Sequence, residues 1–326
     1  MARLRNTEAD AARARRVETL AERGFELLDE GANEKALNIA RQLQQLRWSG
    51  GFEIEARALA GLERFEEAIS CLERGVEVAP SAWPNWLLLG SYLSDRGDFS
   101  LAERAYEQAL ACEDCDRDSI TLNCAILANR RNEPKRALQL ASDLEDSTLG
   151  SHAASLRMRA LELLGRAPEA IEVGLREIAT GRAARSGKMD ELVSQIAHLR
   201  ILNGDDPEET RSFLRRYWSV EVDSPHLLAA FRELDGIRAE VGCGYFRLLV
   251  QADLLAGHPE ASGARGYFAT FHVVAPDAKQ GLGFLVRLLG EAAELRVAES
   301  KRLELRSEGL QGVYWCKPGR TYFAYP

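Results

Sequence analysis

Only a few residues of this chain stand at spacings that could carry chemistry. Cys112 and Cys115 form a Cys-x2-Cys pair, which suits a zinc site or thiol redox chemistry. A structural zinc takes about four ligands. No second such pair and no paired histidines follow at a suitable spacing, and Cys124 and His152 are only loose further ligands. The plainer reading is ordinary cysteines in a loop. Cys243 with His258 or His272 could supply a nucleophile and its base. The five histidines (His152, His198, His226, His258 and His272) are scattered, however, and none sits in a metalloprotease motif. The sequence holds no phosphate-binding loop and no hydrolase elbow, and Gly242-Cys243-Gly244 is too short to be a dinucleotide fingerprint. The expectation is a non-catalytic protein that needs no cofactor.

The elements that would position side chains come from a repeat. Its clearest copy is WPNWLLLGSYLSDRGDFSLAERAYEQALACEDC, residues 83 to 115. Trp86, Leu89, Gly90 and Leu93 pattern one helix, Gly97-Asp98-Phe99 turns, and Ala102, Tyr106 and Ala109 pattern a second. Small residues at Gly90 and Ala102 let the two helices approach closely. The equivalent small residues are Ala36, Ala68, Ala102, Ala137 and Ala170, at steps of 32, 34, 35 and 33. A sixth hairpin at about 189 to 218 has Thr210 at that place, after a step of 40, so an offset in the stack is expected there. One such hairpin cannot bury its apolar face alone, so neighbours must stack on it.

This spacing resembles the tetratricopeptide repeat, with Leu93 in place of the usual Tyr and Tyr106 in place of the usual Phe. The resemblance covers residues 17 to about 218. It implies an α-solenoid of about six hairpins whose first helices line a concave groove, and a protein or peptide as partner. By the family's pattern the groove positions include Arg57, Ser91, Ser94, Asp95, Asn129, Arg130 and Arg159, with Arg200 a looser match. Arg57 and Arg159 precede their key alanines by the same step, whereas in the sixth hairpin Leu199 takes that place. Guanidiniums on one wall could bind carboxylates bidentately, so an acidic peptide is one class of partner. The alternative is solvated arginines on an amphipathic surface. The family's carboxylate-clamp set of Lys and Asn is not found.

The domain reading is a polar segment over 1–16, a helical repeat domain over 17–242 and a small α/β domain over 243–326. Residues 181 to 188 read as a loop. Ser224-Pro225 reads as a helix start. After Gly242 the glycine, aromatic and β-branched content rises. Residues 245 to 255 are ambiguous but lean to helix, because Gly257-His258-Pro259-Glu260 resembles the earlier turns. A strand over 266–274 follows, then a helix after Asp277, two short alternating segments, and a hairpin turning at Lys317-Pro318-Gly319-Arg320. Ferredoxin-like topology is one arrangement of these elements. Alternation in that hairpin puts Val313 with Trp315 on one face and Tyr314 with Cys316 on the other. The aromatics Tyr314, Trp315, Tyr322, Phe323 and Tyr325 read as cross-strand pairs and core, with a recognition face as the alternative.

Composition narrows the partners. A net charge of −8 speaks against nucleic acid. No apolar run is long enough to span a bilayer, and the start lacks the apolar centre of a signal peptide, so the cytoplasm is the expected compartment. Six cysteines without a dense framework agree with a reducing environment. The leading expectation is a binding scaffold or adaptor. The second is an enzyme or regulator whose site lies in the C-terminal domain, with the repeats recruiting its substrate or peptide.

Overall fold

The computed structural model describes residues 2–219, 224–254, 265–290, 293–305 and 309–323. The chain divides into two compact units, residues 1–156 and 157–326. The first is helical throughout. Its hairpins are α1 (Ala2–Asp29) with α2 (Asn33–Gln45), α3 (Gly50–Gly61) with α4 (Phe65–Val78), α5 (Trp83–Arg96) with α6 (Phe99–Ala111), and α7 (Arg117–Arg130) with α8 (Pro134–Ser142). The polar start of the chain is the first part of α1. The helix α9 (Gly150–Leu163) opens the fifth hairpin.

The packing follows from the small residues. Ala36, Ala68, Ala102, Ala137 and Ala170 are all fully buried. At Gly90 a single added carbon would overlap the Tyr106 ring, so α5 and α6 close only because that position is bare. First helices touch in series, α1 to α3, α3 to α5 and α5 to α7, and α2, α4 and α6 each bridge to the next hairpin. Leu43, Ile54, Leu72 and Ile120 lie fully buried in one apolar core running along this stack.

Each hairpin turns in the same way. One or two residues past the first helix the backbone is left-handed, at Gly31 (φ 70°), Glu63 (62°), Gly97 (92°), Asn132 (58°), Gly165 (70°) and Gly204 (76°). The next amide donates back to a carbonyl five residues earlier: Ala32 to Leu27, Arg64 to Leu59, Asp98 to Leu93, Glu133 to Ala128, Arg166 to Leu161 and Asp205 to Arg200, at 2.8–3.0 Å. This is the helix-ending bond that a left-handed residue makes possible.

The second unit continues with α10 (Ala167–Ala179), α11 (Arg182–Arg185), α12 (Met189–Asn203), α13 (Pro207–Arg215) and α14 (Pro225–Asp235). The expected loop over 181–188 contains α11, where Arg182 clasps Glu177 with its guanidinium. Ser224 does precede α14, but its hydroxyl bonds Asp190 rather than capping the helix. A sheet follows: β1 (Gly244–Leu254), β2 (Gly266–Ala275), α15 (Ala278–Leu289), β3 (Ala293–Leu305), β4 (Gly312–Cys316) and β5 (Thr321–Phe323). All its pairings are antiparallel, in the order β3-β1-β2-β4, with β5 also on β2.

Four expectations change here. Residues 244–254 form a strand, not a helix, because Phe246, Leu248, Val250 and Ala252 alternate as buried residues with a period of two. The topology is not ferredoxin-like: β1 and β2 are direct antiparallel neighbours and one helix separates β2 from β3. Residues 312–323 are not a hairpin. Cys316 pairs with Phe271 and Thr321 with Phe268, so β4 and β5 lie in succession along the same edge of β2. Pro318 and Gly319 (φ 95°) form a bulge in that edge instead of a reversal. A second bulge at Tyr314 breaks the expected alternation, placing Val313 and Cys316 on the buried face and Trp315 on the other. Asp277 caps α15 as expected, accepting from the Gln280 amide at 2.7 Å. The helix covers one face of the sheet through Phe284, Leu285 and Leu288, with Gly281 against Leu248 and Val273. His258, Gly257, Pro259, Glu260 and Tyr325 lie outside the described residues, as do the side chains of Tyr322 and Phe323.

Candidate functional site

In the first unit the first helices carry most of the residues expected in the groove. Arg57, on α3, donates to Glu53 one turn earlier at 2.9 Å and is half exposed. It lines a cleft of about 590 Å3 with Phe25 and Leu28 of α1, Asn33 of α2 and Tyr92 of α5. Burial pushes the Tyr92 phenol up, against the opposing pull of Arg57. Ser91 is half-buried beside Tyr92 in the chain. Phe25 is exposed, so the cleft presents an aromatic floor, with the Arg57 guanidinium and the Asp29 carboxylate both on its wall.

The next groove positions are tied to one another. Arg130 on α7 donates to Ser94 Oγ at 3.1 Å and to Asp95 Oδ1 at 2.5 Å on α5. Ser94 itself is buried, while Asp95 and Arg130 are exposed. The Asn129 amide donates to the Leu156 carbonyl at 3.3 Å, holding α7 to α9. These residues fasten neighbouring first helices, and Arg130 with Asp95 leaves a neutral pair on the surface.

Arg159 and Arg200 belong to the second unit. Arg159 pairs with Glu162 at 2.7 Å. Arg200 lies with its guanidinium 4.7 Å from the Phe213 ring centre, a cation–π contact between α12 and α13. Leu199 and Thr210 are both buried, so the sixth hairpin keeps its small-residue contact while its arginine stands one position later. Its left-handed Gly204 is six residues before Thr210, where the other turns have five, and this is one residue of the long step.

The cysteines are engaged elsewhere. Cys112 Sγ donates to the Pro80 and Gln108 carbonyls at 3.7 and 3.4 Å, and Cys115 Sγ to Leu110 at 3.8 Å. Burial raises the Cys112 thiol, with Cys115 adding to it, which disfavours the thiolate a metal would need. Burial also pushes Cys124 up to about 11. Among the described residues no three His, Cys, Asp or Glu side chains stand close enough to share a metal ion. Cys243 is buried in a small apolar cluster with Ala239 and Val274. His272 instead meets Tyr245, whose hydroxyl lies 3.1 Å from Nδ1.

Among known proteins, the tetratricopeptide repeat pattern matches residues 55–81, which span the end of α3 and all of α4. The fold is similar to a chain of the APC/C heterotetramer Cut9–Hcn1, at 14% identity and TM-score 0.52, covering 66% of this chain and 40% of that one. It is also similar to a tetratricopeptide repeat protein from Parabacteroides merdae, at 12% identity and TM-score 0.51, covering 67% and 85%. Residues 55–81 are a tetratricopeptide repeat, in a chain whose helical fold is that of tetratricopeptide-repeat structures. The chain spans less than half the length of the Cut9–Hcn1 chain that it matches. No curated protein sequence matches it. Within the tetratricopeptide array, sequence reasoning missed Phe25 and Tyr92. The signal available was their place: with Arg57 they occupy successive first helices. No helix among the described residues is long and apolar enough to cross a membrane.

Proposed function

We propose that this protein is a non-catalytic scaffold that binds a peptide segment of a partner protein on the first-helix face of residues 1–156. The observation that carries this reading is the cleft bounded by Phe25, Leu28, Arg57 and Tyr92. An apolar side chain of the peptide seats between the two aromatic rings. One peptide carboxylate takes the Arg57 guanidinium in exchange for Glu53, so the acidic group orients the ligand and the apolar anchor supplies most of the affinity. The exchange itself gains little, since exposed ion pairs are worth roughly 0–1 kcal/mol. The helices are fixed by their stacking, so the ordering cost on the protein side is small. The net charge of −8 does not favour nucleic acid, whose phosphates call for clustered Lys and Arg. Its place of action in this reading is the cytoplasm.

Selection of a displayed random-peptide library on the full chain tests this. Enriched peptides should pair an aromatic or branched apolar residue with Asp or Glu. They should lose about tenfold in affinity against Tyr92→Ala, as for one buried anchor of about 1.4 kcal/mol. Arg57→Gln should relax the preference for acid while leaving the apolar preference. Enrichment that is unchanged by both substitutions would overturn the assignment of this cleft.

A further inference from the structure

The second unit holds a cleft that the peptide reading does not use. The sheet face opposite α15 carries Arg247 on β1, His272 on β2 and Trp315 on β4 in one row, because Arg247 pairs with His272 and His272 with Trp315. Leu249 and Thr270 form the next row, and Lys317 follows Trp315 along the edge. These residues, with Glu299 of β3, line a cleft of about 320 Å3. That is the size of a small-molecule site rather than of a protein interface.

Its chemistry is specific. Arg247 is nearly half exposed, and its nearest carboxylate, Glu299, stands 3.7 Å away, beyond hydrogen-bonding distance. The guanidinium fork is therefore not committed to Glu299. Lys317 spends its backbone amide on the Thr270 carbonyl, at 2.9 Å, and its side chain is exposed. Trp315 tilts over the His272 ring with centroids 4.7 Å apart, and Tyr245 meets the same ring edge-on at 5.3 Å. His272 is thus fixed between two aromatics. Burial, and then Arg247, hold its pKa down, so it does not add a third cation near neutral pH. Two cations against one carboxylate leave an anion-seeking cleft, with Trp315 and Leu249 as its apolar walls.

We propose that this cleft binds a small aromatic molecule carrying one oxyacid anion, with Arg247 and Lys317 holding the anion and Trp315 and Leu249 packing the ring. The site needs both parts: the cations alone are solvated surface charges, and the apolar wall alone is too small to hold a neutral ring. It stands independently of the groove, and its failure would leave the peptide reading untouched.

The test is titration of the full chain with benzoate, phenyl phosphate, inorganic phosphate and benzyl alcohol. Calorimetry and the Trp315 indole N–H resonance, assigned by its loss in Trp315→Phe, give the readout. Benzoate or phenyl phosphate should shift that resonance saturably, and whichever binds tighter identifies the oxyacid. Phosphate alone and benzyl alcohol should bind at least about tenfold more weakly, one charge-assisted contact or one ring being lost. Arg247→Gln and Lys317→Gln should each weaken binding by a similar factor, with melting temperatures unchanged at these exposed positions. Glu299→Gln should tighten it. Absence of a saturable shift, equal binding of phosphate alone, or equal binding by the charge variants would overturn the proposal.

Discussion

Two residues stand where the repeat demands something their side chains do not give. Glu63 occupies the left-handed turn position that is glycine in four of the other five hairpins, at φ 62°. An L-residue with a Cβ pays roughly 1–2 kcal/mol for that conformation, and glycine does not. Glu63→Gly should therefore raise stability by about 0.5–1 kcal/mol after the extra chain entropy of glycine is deducted, read as a higher denaturant midpoint. A lower midpoint would mean that the Glu63 side chain matters more than its backbone. Thr210 is the second case. It replaces alanine at the small contact position, is buried, and its hydroxyl meets no hydrogen-bond partner among the described residues. Leaving a buried hydroxyl unpaired costs about 1–3 kcal/mol. Thr210→Val keeps the shape and removes the polar atom, so it should stabilise by about 1 kcal/mol in the same assay.

At the scale of elements, hairpins are locked to one another by charge as well as by packing. Glu103 on α6 accepts from Arg131 at the end of α7 and from Arg136 on α8, both at 2.6 Å. The Arg136 hydrogen bond, ahead of the one from Arg131, holds the Glu103 carboxyl below its ordinary range. A depressed carboxyl contributes its stability above its unfolded value, roughly 4.3, and loses it as the pH falls through the lower folded value. Glu103→Gln should thus cost of order 1 kcal/mol at pH 7, discounted for solvent exposure, and the difference from the parent should be smaller at pH 3. Urea melts at the two pH values decide it, and a pH-independent difference would assign the loss to packing. Elements were also the scale at which the sequence was most readable. The alanine period located the helical hairpins because each alanine sits at a contact with no room for more. The sheet was harder. Phe246, Leu248, Val250 and Ala252 alternate plainly, but the intervening Leu249 fills a polar place and blurs the period. The bulge at Tyr314 and the run of β4 into β5 along one edge depend on pairing with β2, and no local pattern encodes that. The residues expected in the groove lie on first helices. That Arg57, Arg130 and Arg159 each already hold a carboxylate could be read only once the helices were placed.

At the scale of the whole molecule, stability must be uneven, because each hairpin rests only on its neighbours. The second helix of each pair shows the gradient. Within α4 six residues are buried, among them Ile69, Leu72 and Val76, whereas the nine-residue α8 buries only Ala137 and Ala141. The continuous apolar core runs from α1 to α7, and α8 belongs to a smaller separate cluster with Ala125, Leu144 and Ala153. Apolar burial is worth about 25 cal/mol per Å2, so an element that buries two methyl groups resists opening far less than one that buries several branched side chains. In the second unit β1 is paired on both sides, by β2 and β3, while β3 is an edge strand with mostly exposed residues. Local opening follows such differences. Hydrogen exchange read by mass spectrometry should find residues 134–149 exchanging at least about tenfold faster than residues 65–78, which is a difference of roughly 1.4 kcal/mol in opening free energy. Within the sheet, amides of β3 should exchange before those of β1. Uniform protection from α4 through α8 would show that the first unit opens only as a whole. The ordering of its stability by hairpin would then be wrong, even though each contact described here remained in place.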